Sequence, residues 1–170
     1  FRILLDTADR LGSAVDVRLH GVVLRHMLPD FDSEICGRAN ISYHGAYEYP
    51  DGLKAIYCDC DAVWVQDLWQ WGTNSTWLLP NRIYEAGYFG CPSIAVAALA
   101  AVPGVSGTET GRRVDGRLGW TVPEASADAL VSLLKELSIE TLREQRSKLL
   151  AMPDTEFRQT HAEIIAALEP

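Results

Sequence analysis

The stretch Leu78-Leu79-Pro80-Asn81-Arg82-Ile83-Tyr84-Glu85-Ala86-Gly87-Tyr88-Phe89-Gly90-Cys91-Pro92-Ser93-Ile94-Ala95 passes from a helix that ends near Gly90 directly into a strand, Pro92 to Val96. That strand has neither charge nor alternation, the pattern of a strand covered on both faces. On its N-terminal side Asp61-Ala62-Val63-Trp64-Val65 is a second apolar strand of the buried type, and on its C-terminal side Gly119-Trp120-Thr121-Val122 is a short strand closed by Pro123. Val15 to His20 alternates with period two and ends at Gly21, and Asn40 to His44 repeats the pattern and ends at Gly45.

Helical patterns fill the gaps between these strands. Phe1, Leu4, Leu5, Ala8 and Leu11 fall at helical spacing, a short helix follows Pro29, and Gly52 to Cys60 puts Leu53, Ile56 and Tyr57 on one face. Ser126 reads as the N-cap of a helix with Leu130, Leu133, Leu134 and Leu137 on one side, and Asp128 in its first turn complements the dipole. A further helix runs from Ile139 to Ala151. Pro153 ends it, and Phe157, His161, Ile164, Ile165 and Leu168 make the stripe of a terminal helix. Gly104 to Gly116, rich in glycine and charge, reads as a connection. Strand and helix in alternation predict an α/β protein: a Rossmann-like open parallel sheet with helices on both faces. Such sheets take ligands at the carboxyl ends of their strands, which singles out the loops after His20, His44, Gln66 and Val96. The loop after Gln66 carries Trp69, Trp71 and Trp77, whose faces suit either an amphipathic ligand or packing under the loop.

Composition narrows the function. The 170 residues are 48% apolar and 22% charged, enough for a full core. The net charge of −8, from 15 basic and 23 acidic residues, argues against nucleic acid as a partner, because phosphate neutralisation needs clustered Lys and Arg. The longest nearly apolar stretch, Pro92 to Val105, is about 14 residues against the roughly 18 needed to span a bilayer. Cys58 and Cys60 are separated by one residue, short of zinc-ligand spacing, so no metal is expected and the four cysteines read as reduced thiols of a cytoplasmic protein. Neither Gly-x-Gly-x-x-Gly after the first strand nor Gly-x-x-x-x-Gly-Lys-Ser/Thr is present, which argues against a dehydrogenase or P-loop enzyme. The chain opens on Phe1 inside a helical pattern and reads as a piece of a longer protein.

The segment Pro80-Asn81-Arg82-Ile83-Tyr84-Glu85, followed by Gly90-Cys91-Pro92 and a buried strand, resembles the core signature of glycosyltransferase family 4 and related GT-B enzymes. Val17 to Gly21, Asn40 to Tyr47, Asp61 to Val65 and Gly119 to Pro123 match that family's other strands more weakly. The resemblance implies that residues 1–170 are one nucleotide-sugar-binding domain, the C-terminal half of a GT-B fold, without its first strand and without the N-terminal acceptor domain. It implies a retaining glycosyltransferase that uses a UDP or GDP sugar in polysaccharide biosynthesis, is peripheral to the inner face of the membrane when whole, and needs no cofactor. The fragment by itself is not expected to turn over. The resemblance assigns Glu85 to the ribose hydroxyls and Gly45, Ala46 and Tyr47 to the base. The diphosphate would meet a helix N-terminus, with backbone amides of Thr76, Trp77, Leu78 and Leu79 as donors, and Arg82 would pair with a phosphate or hold Glu85. His20 and His44, at strand ends, are further candidate donor contacts. Where the family carries a sugar-contacting glutamate eight positions before the ribose glutamate, this chain has Trp77. That departure keeps a second reading open, a noncatalytic Rossmann-like nucleotide-sensing or interaction module.

Overall fold

The computed structural model describes residues 1–68, 74–97 and 107–158. Five strands and eight α-helices alternate among them: α1 (Arg2–Leu11), β1 (Val17–His20), α2 (Phe31–Ile35), β2 (Ile41–Gly45), α3 (Leu53–Cys58), β3 (Val63–Trp64), α4 (Asn74–Trp77), α5 (Asn81–Tyr88), β4 (Ser93–Val96), α6 (Glu109–Val114), β5 (Gly119–Val122), α7 (Ala127–Glu136) and α8 (Ile139–Leu150). Every strand pairing is parallel, β1 with β2 in one sheet and β3-β4-β5 in another. This is the Rossmann-like α/β class to which the alternation of patterns pointed. The chain divides into two compact units, Phe1–Leu53 with Ala125–Glu136, and Lys54–Glu124 with Leu137–Pro170.

In the first unit β1 and β2 lie in register from Val17 opposite Ile41 to Leu19 opposite Tyr43, and a bulge then sets His20 opposite Gly45. One face packs on α1 through Leu5, Ala8 and Ile41, joined by Phe1, Val15, Val17, Leu19 and Ile35. Asn40 fastens the start of β2 to α1, its amide donating to the carbonyls of Ala8 and Gly12. Helix α7 begins as the sequence suggests, with the Ser126 hydroxyl accepting the Ala129 N–H at 3.2 Å.

In the second unit β4 is the central strand, buried at all four positions. Its neighbour β5 begins with Gly119, where a Cβ would sit 1.9 Å from the Ser93 carbonyl oxygen, so only glycine lets the strands approach. Val65, Ile83, Ala95, Val114, Leu118 and Leu149 form one cluster that binds α5, α6 and α8 to the sheet. Each fully buried Val, Leu or Ile side chain there contributes about 1.5–3 kcal/mol. Helix α5 is backed closely: a Cβ on Gly87 would lie 2.4 Å from the Phe157 ring.

Three expectations change. Strand β3 has two residues, not the five of Asp61 to Val65. Its ladder continues through Val65 N–H to the Ile94 carbonyl, after which the buried Gln66 side chain accepts the Val96 N–H at 3.1 Å. Within the supposed connection from Gly104 to Gly116 lies α6. Thr108 caps it by accepting the Gly111 N–H, Glu109 occupies its first turn, and Arg112 and Arg113 its last, the charge order a helix dipole favours. The third change concerns Phe157, which follows a 3₁₀ turn, Asp154–Glu156; the rest of its expected stripe, from His161 to Leu168, lies outside the described residues. Among the described residues no helix is long and apolar enough to cross a membrane.

Candidate functional site

In the second unit the side chains singled out from the sequence gather around α5 and the carboxyl end of β3. Helix α5 starts at Asn81 behind Pro80, whose φ of −65° and ψ of 138° form the boundary. Pro80 lacks an N–H and pushes Leu79 out of the helical region, so the helix cannot extend back through Thr76, Trp77, Leu78 and Leu79. Those four residues are therefore not the first turn of the Glu85 helix. Thr76 and Trp77 close the separate one-turn α4, and Leu78 and Leu79 belong to the connection. Thr76 is buried, and its hydroxyl has no partner among the described residues. Trp77 is 64% exposed, Leu78 is also exposed, and the Leu78 carbonyl accepts the Thr110 hydroxyl at 2.8 Å. Trp69 and Trp71 lie outside the described residues.

Glu85, half-buried in α5, accepts the Tyr57 hydroxyl on Oε2 at 3.2 Å. Arg82 instead directs its Nε–H to the Val65 carbonyl at 3.1 Å, which seats the guanidinium at the carboxyl end of β3. Of the two roles foreseen for Arg82, support of Glu85 thus falls to Tyr57. The Tyr57 hydroxyl was missed because the sequence shows this residue only as part of the apolar face of α3, and its partner is 28 residues away. Tyr57 is 7% exposed, and its ring stacks on Phe89 with centroids 6.3 Å apart at 16°. Cys91, at the start of the strand motif, is buried, and burial pushes its thiol up to about 12, so it stays protonated and is no nucleophile at neutral pH. Among the described residues no group of three or more His, Cys, Asp or Glu side chains could hold a metal ion.

The first unit holds the remaining candidates. Gly45 ends β2 with φ +72°, and its carbonyl accepts the Gly21 N–H at 2.7 Å. Ala46 and Tyr47 follow, both exposed. His20 and His44 stack with ring centroids 4.6 Å apart at 11°. The Ser42 hydroxyl lies 2.9 Å from His44 Nε2, and the Tyr43 hydroxyl donates to the Gly21 carbonyl. Burial, then the neighbouring His44, then Arg18 hold the His20 imidazole below its usual pKa.

Parallel pairing and the alternation of elements define a Rossmann-like α/β chain. In sequence it is 29% identical over 137 residues to the succinoglycan biosynthesis protein ExoL of Rhizobium meliloti (strain 1021), an alignment that covers 80% of this chain and 32% of the relative. The chain thus spans about a third of the length of the curated relative it matches. Among solved structures it is similar to AviGT4, a glycosyltransferase involved in avilamycin A biosynthesis, with a TM-score of 0.46 and 16% identity over 87% of this chain and 41% of that one. No protein-family model matches the chain.

Proposed function

We propose that the chain is the donor-binding domain of a retaining GT-B glycosyltransferase that moves a hexosyl group from a nucleoside diphosphate to a glycan or glycoconjugate during polysaccharide assembly. The whole enzyme would work in the cytoplasm at the inner face of the membrane, with its acceptor domain outside this chain. The observation that carries this reading is Glu85, a half-buried carboxylate held by the Tyr57 hydroxyl on the helix whose sequence carries the family signature. The likeness to a protein named for succinoglycan biosynthesis supports it.

An ionised carboxylate can accept both hydroxyls of a ribose diol at once. Arg82, seated at the carboxyl end of β3, would turn its terminal nitrogens to the diphosphate. As the bond to the sugar breaks, negative charge grows on the departing phosphate, and fixed donors of this kind stabilise it without reorganising. The second reading, a noncatalytic nucleotide-sensing module, is favoured by Trp77, which stands exposed where a sugar-contacting carboxylate would be.

Calorimetric titration of the 170-residue chain with UDP and GDP tests the donor site. One of them should bind saturably, and Glu85→Ala should weaken it about 10-fold or more, the loss expected for a hydrogen bond to a charged group. No binding at millimolar concentration, or an unchanged affinity in the variant, would remove the assignment.

A further inference from the structure

Neither the family signature nor any similarity gives Tyr57 a role, yet the second unit fixes this residue from three sides. Helix α3 ends at Cys58, and the last carbonyls of a helix have no partner within it. Arg146 of α8 supplies one: its guanidinium donates to the carbonyls of Tyr57 at 3.4 Å, Cys58 at 3.2 Å and Cys60 at 2.5 Å. The fork geometry of arginine suits this task, because several N–H groups converge from one rigid plane. The ring is then confined by burial and by its stack on Phe89, the residue that closes α5. With backbone and ring both set, the hydroxyl has a defined position, and that position is 3.2 Å from Glu85 Oε2. Phenylalanine would fill the same volume and make the same stack but lacks the hydroxyl that bonds the carboxylate.

An unsupported glutamate on a helix distributes over several rotamers, and binding a ligand must first collapse that distribution. A carboxylate has about four lone-pair directions, and one donor from Tyr57 leaves the others for incoming hydroxyls. We propose that Tyr57 is a positioning residue for ribose recognition, its hydroxyl holding Glu85 so that the carboxylate meets both hydroxyls of the diol, which makes the site selective for ribonucleotides over 2′-deoxyribonucleotides. This rests on the reading of Glu85 as the ribose acceptor. The selectivity follows from geometry: a deoxyribose leaves one oriented acceptor unmatched, whereas a loosely held carboxylate turns to the remaining hydroxyl and discriminates less.

The test is a set of titrations of the 170-residue chain with UDP, GDP and their 2′-deoxy counterparts, made on the native sequence, Tyr57→Phe, Glu85→Gln and the double variant. The native chain should prefer the ribonucleotide about 10-fold, and Tyr57→Phe should cut that preference to about 2-fold while leaving the deoxynucleotide affinity nearly unchanged. In the Glu85→Gln background, Tyr57→Phe should have no further effect on the preference, the signature of two residues acting as one unit. A Tyr57→Phe chain that keeps the native preference, or that loses affinity for both nucleotides equally, overturns the proposal while leaving Glu85 as the ribose acceptor. A native chain that binds neither nucleotide, or binds without preference for the ribo form, overturns the Glu85 reading and the role of Tyr57 together.

Discussion

One oxygen of Glu85 is committed to the Tyr57 hydroxyl, and the guanidinium one turn earlier is committed through its Nε–H to the end of β3. Both contacts run to residues far along the chain, which is why spacing alone revealed the carboxylate and the cation but not what holds them. Thr108 makes the same point for stability. Fully buried, it accepts the Gly111 N–H and donates to the Val96 carbonyl, both at 2.7 Å, so one hydroxyl joins the cap of α6 to the end of β4. Thr108→Val preserves shape and removes both bonds, leaving a buried donor and a buried acceptor unsatisfied. The expected cost is about 1–3 kcal/mol, read as a lower urea midpoint at unchanged slope. A midpoint equal to the native one would show that the cap is dispensable. The threonine was visible in the sequence, and with Glu109 after it and Arg112 and Arg113 behind it the helix signal was there to be read. The glycines at 104, 107, 111 and 116 drew the reading toward a connection instead.

Elements were legible where period and length agreed. Helix α8 runs from Ile139 to Leu150 with Ser138 accepting the Thr141 N–H, within a residue of the boundary read from the pattern, and β4 and β5 fall where their apolar runs are. Boundaries failed where a tertiary contact decides them, as at β3, whose ladder passes to the side chain of Gln66. Between β1 and β2, His20, stacked on His44, makes stability depend on pH. Burial first, then His44 and Arg18, keep the His20 pKa below the value of about 6.5 that it takes in the unfolded chain. Between the two values the unfolded chain binds more protons, so stability is complete above about pH 6.5 and falls as pH drops through the folded value. Asp9, held low by its bond to Arg38, loses its contribution in a lower window, below about pH 4. The urea midpoint should therefore decline from pH 7 to pH 5, and His20→Gln should flatten that decline. An equal decline in the variant would assign the effect elsewhere.

For the whole molecule, the class followed from alternation, since apolar strands separated by amphipathic helices leave few arrangements other than parallel pairing. Division into two compact units, each with its own parallel sheet, was not legible, because strand patterns carry no information on which strands hydrogen-bond. The acidic balance that argued against nucleic acid also fits a ligand bound through a few fixed donors and one arginine, not through a cationic surface. The most direct test of the donor site locates the nucleotide on the folded chain. Amide chemical shifts of the labelled protein, titrated with UDP and GDP, should move at Tyr57, Arg82 and Glu85 and at the end of β3. Saturable shifts confined to other surfaces, or none at millimolar nucleotide, would contradict a ribose site at Glu85.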